Sequence, residues 1–522
     1  MNVPKKVVLC FLFLLAGGPL WAADRPFLMG KTPISISTSV FPVWSFENMD
    51  DQDLVSIHGD DFLGIPWDQF ADGGPLPASW VRQWSAIAEA AIQSGKIRYL
   101  ALSPLDSRKT LAQKVDAAGA KQTGWVPVDA DGCYPFSTDP NAEKYKRAYI
   151  RQANYLIDLL RPRFFSPAIE LDIQFYSCPA QKSAYLQWYG DVHRALKAAH
   201  PNLVIFPTFQ FEYLYGVALS SGAPYTPWCG GPRTDATLRA CFQQHLNEAL
   251  SVPGDRIAFS MYPLQFLYPP IPPDSYTVGF PLAEAFSMVR QSTDRKIWVA
   301  ETGWPAVKIL TSYQHAAPPS ACGAVLVDTS AVGGESNMGD YLTALLAQAQ
   351  EKDFEAVVWW ENRDLLNDAD ADLCPCPAGT DAFVILENFY TLGGVAAELS
   401  LRRFGNMGLR RFDGSPRAAH AIWKVALARP LATPGSLDRI KAFPNPLRPG
   451  GGVMTLTGLP ADARLKLYSL NGRPVRTLFA DFTGQAAWDG TDAGGGPVDS
   501  GVYYLHAEGA GDHRTIKIVV QR

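Results

Sequence analysis

Short apolar segments alternate with helix-periodic ones from residue 32 to residue 425, and this alternation most narrows the folds open to the chain. The strand-like runs are Ile34–Val43, Leu54–His58, Ile97–Leu102, Ala168–Phe175, Leu203–Phe211, Ile257–Tyr262, Ile297–Glu301 and Ala356–Trp360. Between them apolar residues recur at helical spacing in Trp80–Gln93, Glu143–Leu160, Ala184–Ala199, Thr237–Leu250, Leu282–Gln291 and Asp340–Glu351, and Ala418–Leu427 closes the series. Ile297-Trp-Val-Ala300 is apolar without alternation, as a parallel strand covered on both faces is. About eight strands in βα alternation over roughly 400 residues ask for a parallel sheet, and an α/β fold of the (β/α)8 (TIM) barrel type fits best. A doubly wound open sheet is the alternative, but no Gly-x-Gly-x-x-Gly follows an early strand to give it a nucleotide site.

The pattern changes near Pro430. Ala432-Thr-Pro-Gly-Ser436 reads as a linker, and residues 440–522 are short alternating segments with turns at Asn471-Gly472, Asp489-Gly490 and Gly494-Gly-Gly496. That is the pattern of a small β-sandwich. Residues 1–23 have the form of a secretory signal: Lys5 and Lys6, the apolar run Val7–Leu15, the break at Gly17-Gly-Pro19, and the small residues Ala22 and Ala23. The expected plan is therefore a signal over 1–23, a barrel over 24–430, a linker over 431–439 and a sandwich over 440–522. No later segment reaches about 18 consecutive apolar residues, so no transmembrane segment is expected. Seven cysteines follow Cys10, at 133, 178, 229, 241, 322, 374 and 376. In an exported chain they favour disulfides. Cys229–Cys241 is the most plausible local pair, and Cys133–Cys178 and Cys322 with Cys374 or Cys376 are further candidates. Cys374-Pro-Cys376 lacks a second Cys/His pair at metal-ligand spacing.

A net charge of −5 and a pI near 5.9 argue against a nucleic-acid partner. The 14 tryptophans suit a carbohydrate cleft as well as a core. The carboxyl ends of parallel barrel strands are where such a fold keeps its chemistry. Glu301 ends one of them and is followed by Thr302-Gly-Trp-Pro305. Glycoside hydrolysis needs a second carboxyl. In Ala168–Phe175 the period of two puts Glu170, Asp172 and Gln174 on one face, with Glu170 as acid/base and Asp172 orienting it; Glu212 is a rival. Trp359-Trp-Glu-Asn-Arg-Asp364 closes the last strand, where Trp360 offers a sugar platform and Arg363 a cation for Glu301. Trp67 and Trp304 are further platforms. His58 and Tyr262, each at a strand end, are candidate polar contacts to the sugar or the nucleophile. No metal or cofactor is needed for this chemistry. The acidic run Asn367–Asp372 reads as a solvated loop, with calcium as the alternative.

Val299-Ala-Glu-Thr-Gly-Trp-Pro305 resembles the nucleophile strand of clan A glycoside hydrolases, nearest to the β-1,3-glucanase family 17 and the endo-β-1,4-galactanase family 53. Ser260-Met-Tyr-Pro263 is similar to their sixth-strand segment, and Phe404–Trp423 looks like their closing segment. The resemblance spans roughly residues 30–425. It implies a retaining (β/α)8 hydrolase of a β-linked polysaccharide or oligosaccharide, with Glu301 as nucleophile and Glu170 as acid/base. Ile169 stands where those families carry asparagine. A non-catalytic glycan-binding protein on the same barrel is the alternative. Phe443-Pro-Asn-Pro446, Leu467-Tyr-Ser-Leu-Asn-Gly-Arg473, Trp488-Asp-Gly490 and Ser500-Gly-Val-Tyr-Tyr504 resemble the Ig-like domain of the flagellar hook-capping family. Similar modules end many exported bacterial proteins, which implies surface attachment or a sorting signal read by a secretion system.

Overall fold

The computed structural model describes residues 24–37, 40–59, 63–106, 109–216, 229–232, 234–262, 280–306, 312–313, 324–325, 334–365, 405–431, 437, 440–448, 452–460, 463–481, 484–509 and 512–521. The expected signal, the acidic run Asn367–Asp372, Cys322, Cys374, Cys376 and most of the expected linker lie outside them. The chain forms two compact units: Pro26–Ala428, and Arg429–Arg522 together with the N-terminal stretch ending at Arg25.

In the first unit all the barrel strands are parallel: β1 (Leu28–Lys31), β2 (Leu54–Gly59), β3 (Ile97–Leu102), β4 (Phe164–Ser166), β5 (Val204–Ile205 and Thr208–Gln210), β6 (Ile257–Met261), β7 (Ile297–Thr302) and β8 (Ala356–Trp359). Each pairs with the next in chain order, and β8 pairs with β1. β5 is split at Phe206-Pro207, because proline has no N–H for the ladder. Its first half pairs with β4 and its second with β6, so the sheet closes on itself. The helices between the strands include α1 (Trp67–Asp72), α2 (Ala78–Gln93), α3 (Ala142–Leu160), α4 (Leu171–Ser177), α5 (Lys182–Ala199), α6 (Asp235–Ser251), α7 (Leu282–Ser292), α8 (Glu335–Glu351) and α9 (Ala418–Leu427).

Alternation along the strands divides the core in two. Met29, Val55, Ile57, Leu100, Phe165, Ile205, Phe259, Val299 and Trp359 belong to the large cluster shared with the helices. Trp298, in contrast, meets Phe164 at 4.4 Å, Phe206 at 5.0 Å and Tyr99 at 5.3 Å between ring centroids. Rings from β3, β4, β5 and β7 meet in this way only inside the barrel. Beneath them Glu355 is buried and accepts Arg256 Nε at 2.6 Å, Arg256 Nη2 at 2.8 Å and the Trp298 indole N–H. Its own N–H donates to Ile297 O at 2.9 Å, and its carbonyl accepts Leu28 N–H at 2.8 Å. One residue thus ties β1, β6, β7 and β8 at the amino ends of the strands.

Two expected strands are corrected. Ile34–Val43 is not a barrel strand: Ile34–Ser37 and Val40–Trp44 form an antiparallel hairpin. β1 is the preceding four-residue segment, too short to show a period, and at Gly30 a Cβ would stand 2.6 Å from Leu54 Cδ2. Ala168–Phe175 is not a strand either. β4 ends at Ser166, before Pro167, and Leu171–Ser177 is helical. Of the polar residues at a period of two in that segment, Asp172 bonds β5 through its side chain and Glu170 through its backbone N–H, as described below.

The second unit holds two antiparallel sheets. One is β9 (Lys441–Phe443), β10 (Met454–Thr457) and β13 (Ala486–Trp488); the other is β11 (Arg464–Ser469), β12 (Pro474–Phe479), β14 (Gly501–Gly509) and β15 (Asp512–Val520). Met454, Leu456 and Trp488 from the first share one core with Leu465, Leu467, Leu505 and Ile518 from the second. Gly472 takes φ 74° in the turn between β11 and β12, a conformation that glycine adopts without steric cost. The expected local pair Cys229–Cys241 is a disulfide, and so is Cys133–Cys178, one of the further candidates. Among the described residues no helix is long and apolar enough to cross a membrane.

Removing one partner of a buried ion pair strands the other, at a cost of about 3–5 kcal/mol. Glu355→Ala is therefore expected to lower the barrel's unfolding free energy by about 3 kcal/mol, and Glu355→Gln, which keeps an acceptor for Trp298, by less. Urea titration followed by tryptophan fluorescence measures both; unchanged midpoints would show that the barrel floor does not depend on this residue.

Candidate active site

A bulge decides where Glu301 points. Along β7, Trp298 pairs with Ala258 of β6 and Val299 with Phe259; the next pairs are Glu301 with Ser260 and Thr302 with Met261. Against β8, Val299 and Thr302 pair with Val357 and Trp359. On both sides β7 carries one residue more than its neighbour, which makes a β-bulge. By strict alternation Glu301, three residues after inward-facing Trp298, would face the helices. The bulge instead sets it beside Ser260, facing the barrel interior. Thr302 then returns to the helix side, where its hydroxyl donates to Met261 O at 2.8 Å and meets the Tyr341 hydroxyl at 2.6 Å.

Glu301 is 5% exposed. Tyr262, the residue after β6, donates its hydroxyl to Glu301 Oε2 at 3.1 Å. His58 of β2 brings Nδ1 to 3.4 Å from Glu301 Oε1. Burial, and then the charges of Glu301, Glu170 and Glu361, push the Tyr262 phenol well above its ordinary pKa. At neutral pH it is therefore a hydrogen-bond donor. Burial and the Glu301 charge raise Tyr99 in the same way. The His58 ring lies edge-to-face with Trp360, 5.1 Å between centroids, and Trp360 is half-buried.

Glu170 stands at the end of the connection leaving β4, half-buried. Its backbone is left-handed, with φ 49° and ψ 51°. That conformation costs a residue with a Cβ about 1–2 kcal/mol and persists where the surroundings impose it. Here Glu170 N–H donates to Thr208 Oγ1 at 2.8 Å, and Asp172 Oδ1 accepts Gln210 N–H at 2.8 Å. The two bonds lash the start of α4 to β5. The Cys133–Cys178 bond joins the end of α4 to the long loop after β3. The charges of Glu170 and Glu301 both act on the Tyr262 phenol.

The remaining sequence candidates separate. Asp172 is 4% exposed; burial, with Glu170 adding to it, holds its carboxyl well above the usual range, so it serves as a buried tie. Trp67 and Trp304 are core residues and present no platform. Trp67 is fully buried against Trp125 and Tyr149 and donates its indole N–H to Ala112 O at 2.9 Å. Trp304 is buried and stacks on Tyr341 at 5.0 Å. Arg363 does not reach Glu301: its guanidinium lies over Phe412, and it pairs with Glu47 at 3.7 Å. His58 and Tyr262 meet Glu301, and Trp360 meets His58; Glu170 stands on the connection after β4. Sequence reasoning passed over Glu361, a fully buried carboxyl next to Trp360 that burial, and then Asp364, raise well above its ordinary pKa. It also passed over Tyr341, which pins Thr302. The signal for Glu361 was an acid directly after an apolar strand. Among the described residues Cys229, Cys241 and His245 are grouped at metal-ligand spacing, but the two sulfurs are bonded to each other.

No family model and no curated protein matches the chain. Among solved structures it is similar to the exo-β-1,4-mannosidase Op5Man5 of Opitutaceae bacterium strain TAV5, with a TM-score of 0.45 and 15% identity over 78% of this chain and 60% of that one. It is also similar to the GH53 catalytic domain of Ignisphaera aggregans, with a TM-score of 0.42 and 13% identity over 79% of this chain and 98% of that one. A segment amounting to 18% of this chain is 28% identical to 13% of PorZ, a surface component of the type-IX secretion system of Porphyromonas gingivalis, with a TM-score of 0.17. The chain thus spans well under two thirds of PorZ and 60% of the mannosidase.

Proposed function

We propose that the barrel is a retaining glycoside hydrolase acting on a β-linked polysaccharide or oligosaccharide. The observation that supports this reading is the β7 bulge, which turns Glu301 inward, where Tyr262 and His58 meet it; in this reading Glu170 is the second carboxyl. In the first step the Glu301 carboxylate attacks the anomeric carbon, the glycosidic C–O bond breaks, and the Glu170 proton passes to the leaving oxygen. In the second, Glu170 takes a proton from water, whose oxygen displaces Glu301 from the same carbon. Two displacements retain the anomeric configuration, and the mechanism requires carboxyls about 5 Å apart. Tyr262 orients the nucleophile, Trp360 supplies the sugar platform, and His58 contacts nucleophile and sugar. The mechanism uses no metal or cofactor.

Residues 1–23 would direct export. The 440–522 segment would be an Ig-like β-sandwich, following a 431–439 linker, that serves surface attachment or sorting. Two disulfides suit an oxidising compartment.

Glu301→Gln is expected to abolish hydrolysis on a panel of β-glucans, galactans and mannans, and proton NMR of the first wild-type product should show the retained anomer. Equal rates in wild type and variant would sink the assignment; glycan binding without any turnover would favour a binding protein on the same barrel. Glu170→Gln should lose about 10²–10⁴-fold on substrates with poor leaving groups, with azide restoring turnover of activated ones. Tyr262→Phe removes a hydrogen bond to a charged group, and kcat should fall by about 10–100-fold.

The left-handed backbone gives a separate test. Glu170→Gly should raise stability by about 1 kcal/mol while removing activity. A lower melting temperature for this variant would show that the side chain supports the fold rather than the chemistry.

A further inference from the structure

Glu212 is a buried acid that the double displacement does not use. It follows β5 directly, in the helical turn Phe211–Tyr215, and is 1% exposed. Three neighbouring elements face it. The start of α4 is bonded to β5 just before Glu212, through Glu170 N–H to Thr208 Oγ1 and Gln210 N–H to Asp172 Oδ1, both at 2.8 Å, and it brings two acids, Glu170 and Asp172. The end of β6 contributes the backbone of Tyr262, and α8 contributes Tyr341, whose hydroxyl meets Thr302 beside Glu301. On the turn's other side, His245 of α6 approaches Leu214 O at 3.2 Å, and burial lowers its pKa, so it brings no charge at neutral pH. Tyr176 of α4 packs edge-on to Tyr213 at 5.6 Å, and burial and Asp172 raise its pKa. Backbone N–H groups of Glu212 itself and of Tyr262 approach its carboxyl and favour the ionised form, but among the described residues no lysine, arginine or histidine pairs with it.

A carboxyl with no solvent, no cation and two acids beside it is held neutral. Burial first, and then Glu170 and Asp172, push it up to about 8. We propose that Glu212 is a positioning residue for the acid/base: a buried carboxylic acid held protonated so that Glu170 gains and loses its proton beside a neutral neighbour. While Glu212 is neutral, Glu170 can become a carboxylate in the second step without facing another charge. Once Glu212 ionises, its charge opposes that change, holds the proton on Glu170 and slows the step in which Glu170 must act as base. The inference rests on the proposed hydrolase reading.

The test uses the full chain and Glu212→Gln, an isostere of the neutral acid. A group whose pKa is raised by folding costs stability once the unfolded chain ionises it, so the cost is absent below the unfolded value, near 4.3, and complete above about 8. Glutamine carries no such cost. The melting-temperature difference between Glu212→Gln and wild type should therefore widen in the variant's favour from pH 5 to pH 8 and be flat beyond. A difference independent of pH overturns the proposal whether or not a substrate is known. In kinetics, the variant should keep wild-type kcat at pH 6 within about twofold and lose an alkaline inflection near pH 8. An inflection retained in the variant overturns the coupling to Glu170. Loss of about 10²-fold or more on poor leaving groups, with rescue by azide, would make Glu212 itself the acid and overturns it as well. A wild type that hydrolyses no glycan defeats the hydrolase reading, and the positioning role with it; an active wild type with an unmoved profile defeats only the positioning role.

Discussion

β7 is pinned at two points, and the candidate site depends on what must happen between them. Trp298 is fixed inward, its indole N–H on Glu355 and its ring among Phe164, Phe206 and Tyr99. Thr302 is fixed outward by Met261 O and the Tyr341 hydroxyl. Four steps along a regular strand return to the same face. Opposite faces at these two residues therefore require an irregularity between them, and it falls at Ala300–Glu301. The bulge needs no strain at Glu301 itself, which has no left-handed backbone. It is imposed by the aromatic floor on one side and the α8 contact on the other.

This arrangement also explains how the barrel changes character along its axis. The lower interior is filled by rings and closed by the Arg256–Glu355 pair. Above the rings the inward residues are His58, Ser166, Ser260 and Glu301, all buried. Water is excluded from below by the rings and the sheet is closed all round, so a charge at the mouth is poorly screened. For that reason Tyr262 and Tyr99 respond to Glu301, and for the same reason a phenol donor there does not ionise.

How much of this was legible in the sequence follows from which signals are local. The βα alternation and the termini of β3, α2, α3 and α9 can be read directly, because hydrophobic period reports the face a residue buries. Glu301 can be found as an acid ending an apolar strand. Its direction cannot, since the bulge is set by Tyr341, about forty positions further on. β1 escapes because four residues with a glycine carry no period. Around Glu170 the period misled: Asp172 looks like a strand residue but is a helical one that bonds a neighbouring strand's N–H. Trp67 and Trp304 illustrate a general limit, because a tryptophan's sequence context does not say whether its face is open or covered.

The buried carboxyls finally separate by whether they have been given a counter-charge. Glu355 has Arg256, and Asp364 has Arg417. Asp51 has Lys31, Arg410 and His420; although burial alone would raise it, these partners hold it below the usual carboxylate range. Among the described residues, Asp172, Glu212 and Glu361 are buried to a similar degree with no ion pair, and each is raised instead. A fold selected for stability alone gains by replacing such acids with apolar residues of similar volume. Unpaired buried acids of this kind are where perturbed proton affinities arise, and functional sites are built from them. The paired acids tie elements of the scaffold together, whereas burial holds the unpaired ones toward their neutral form.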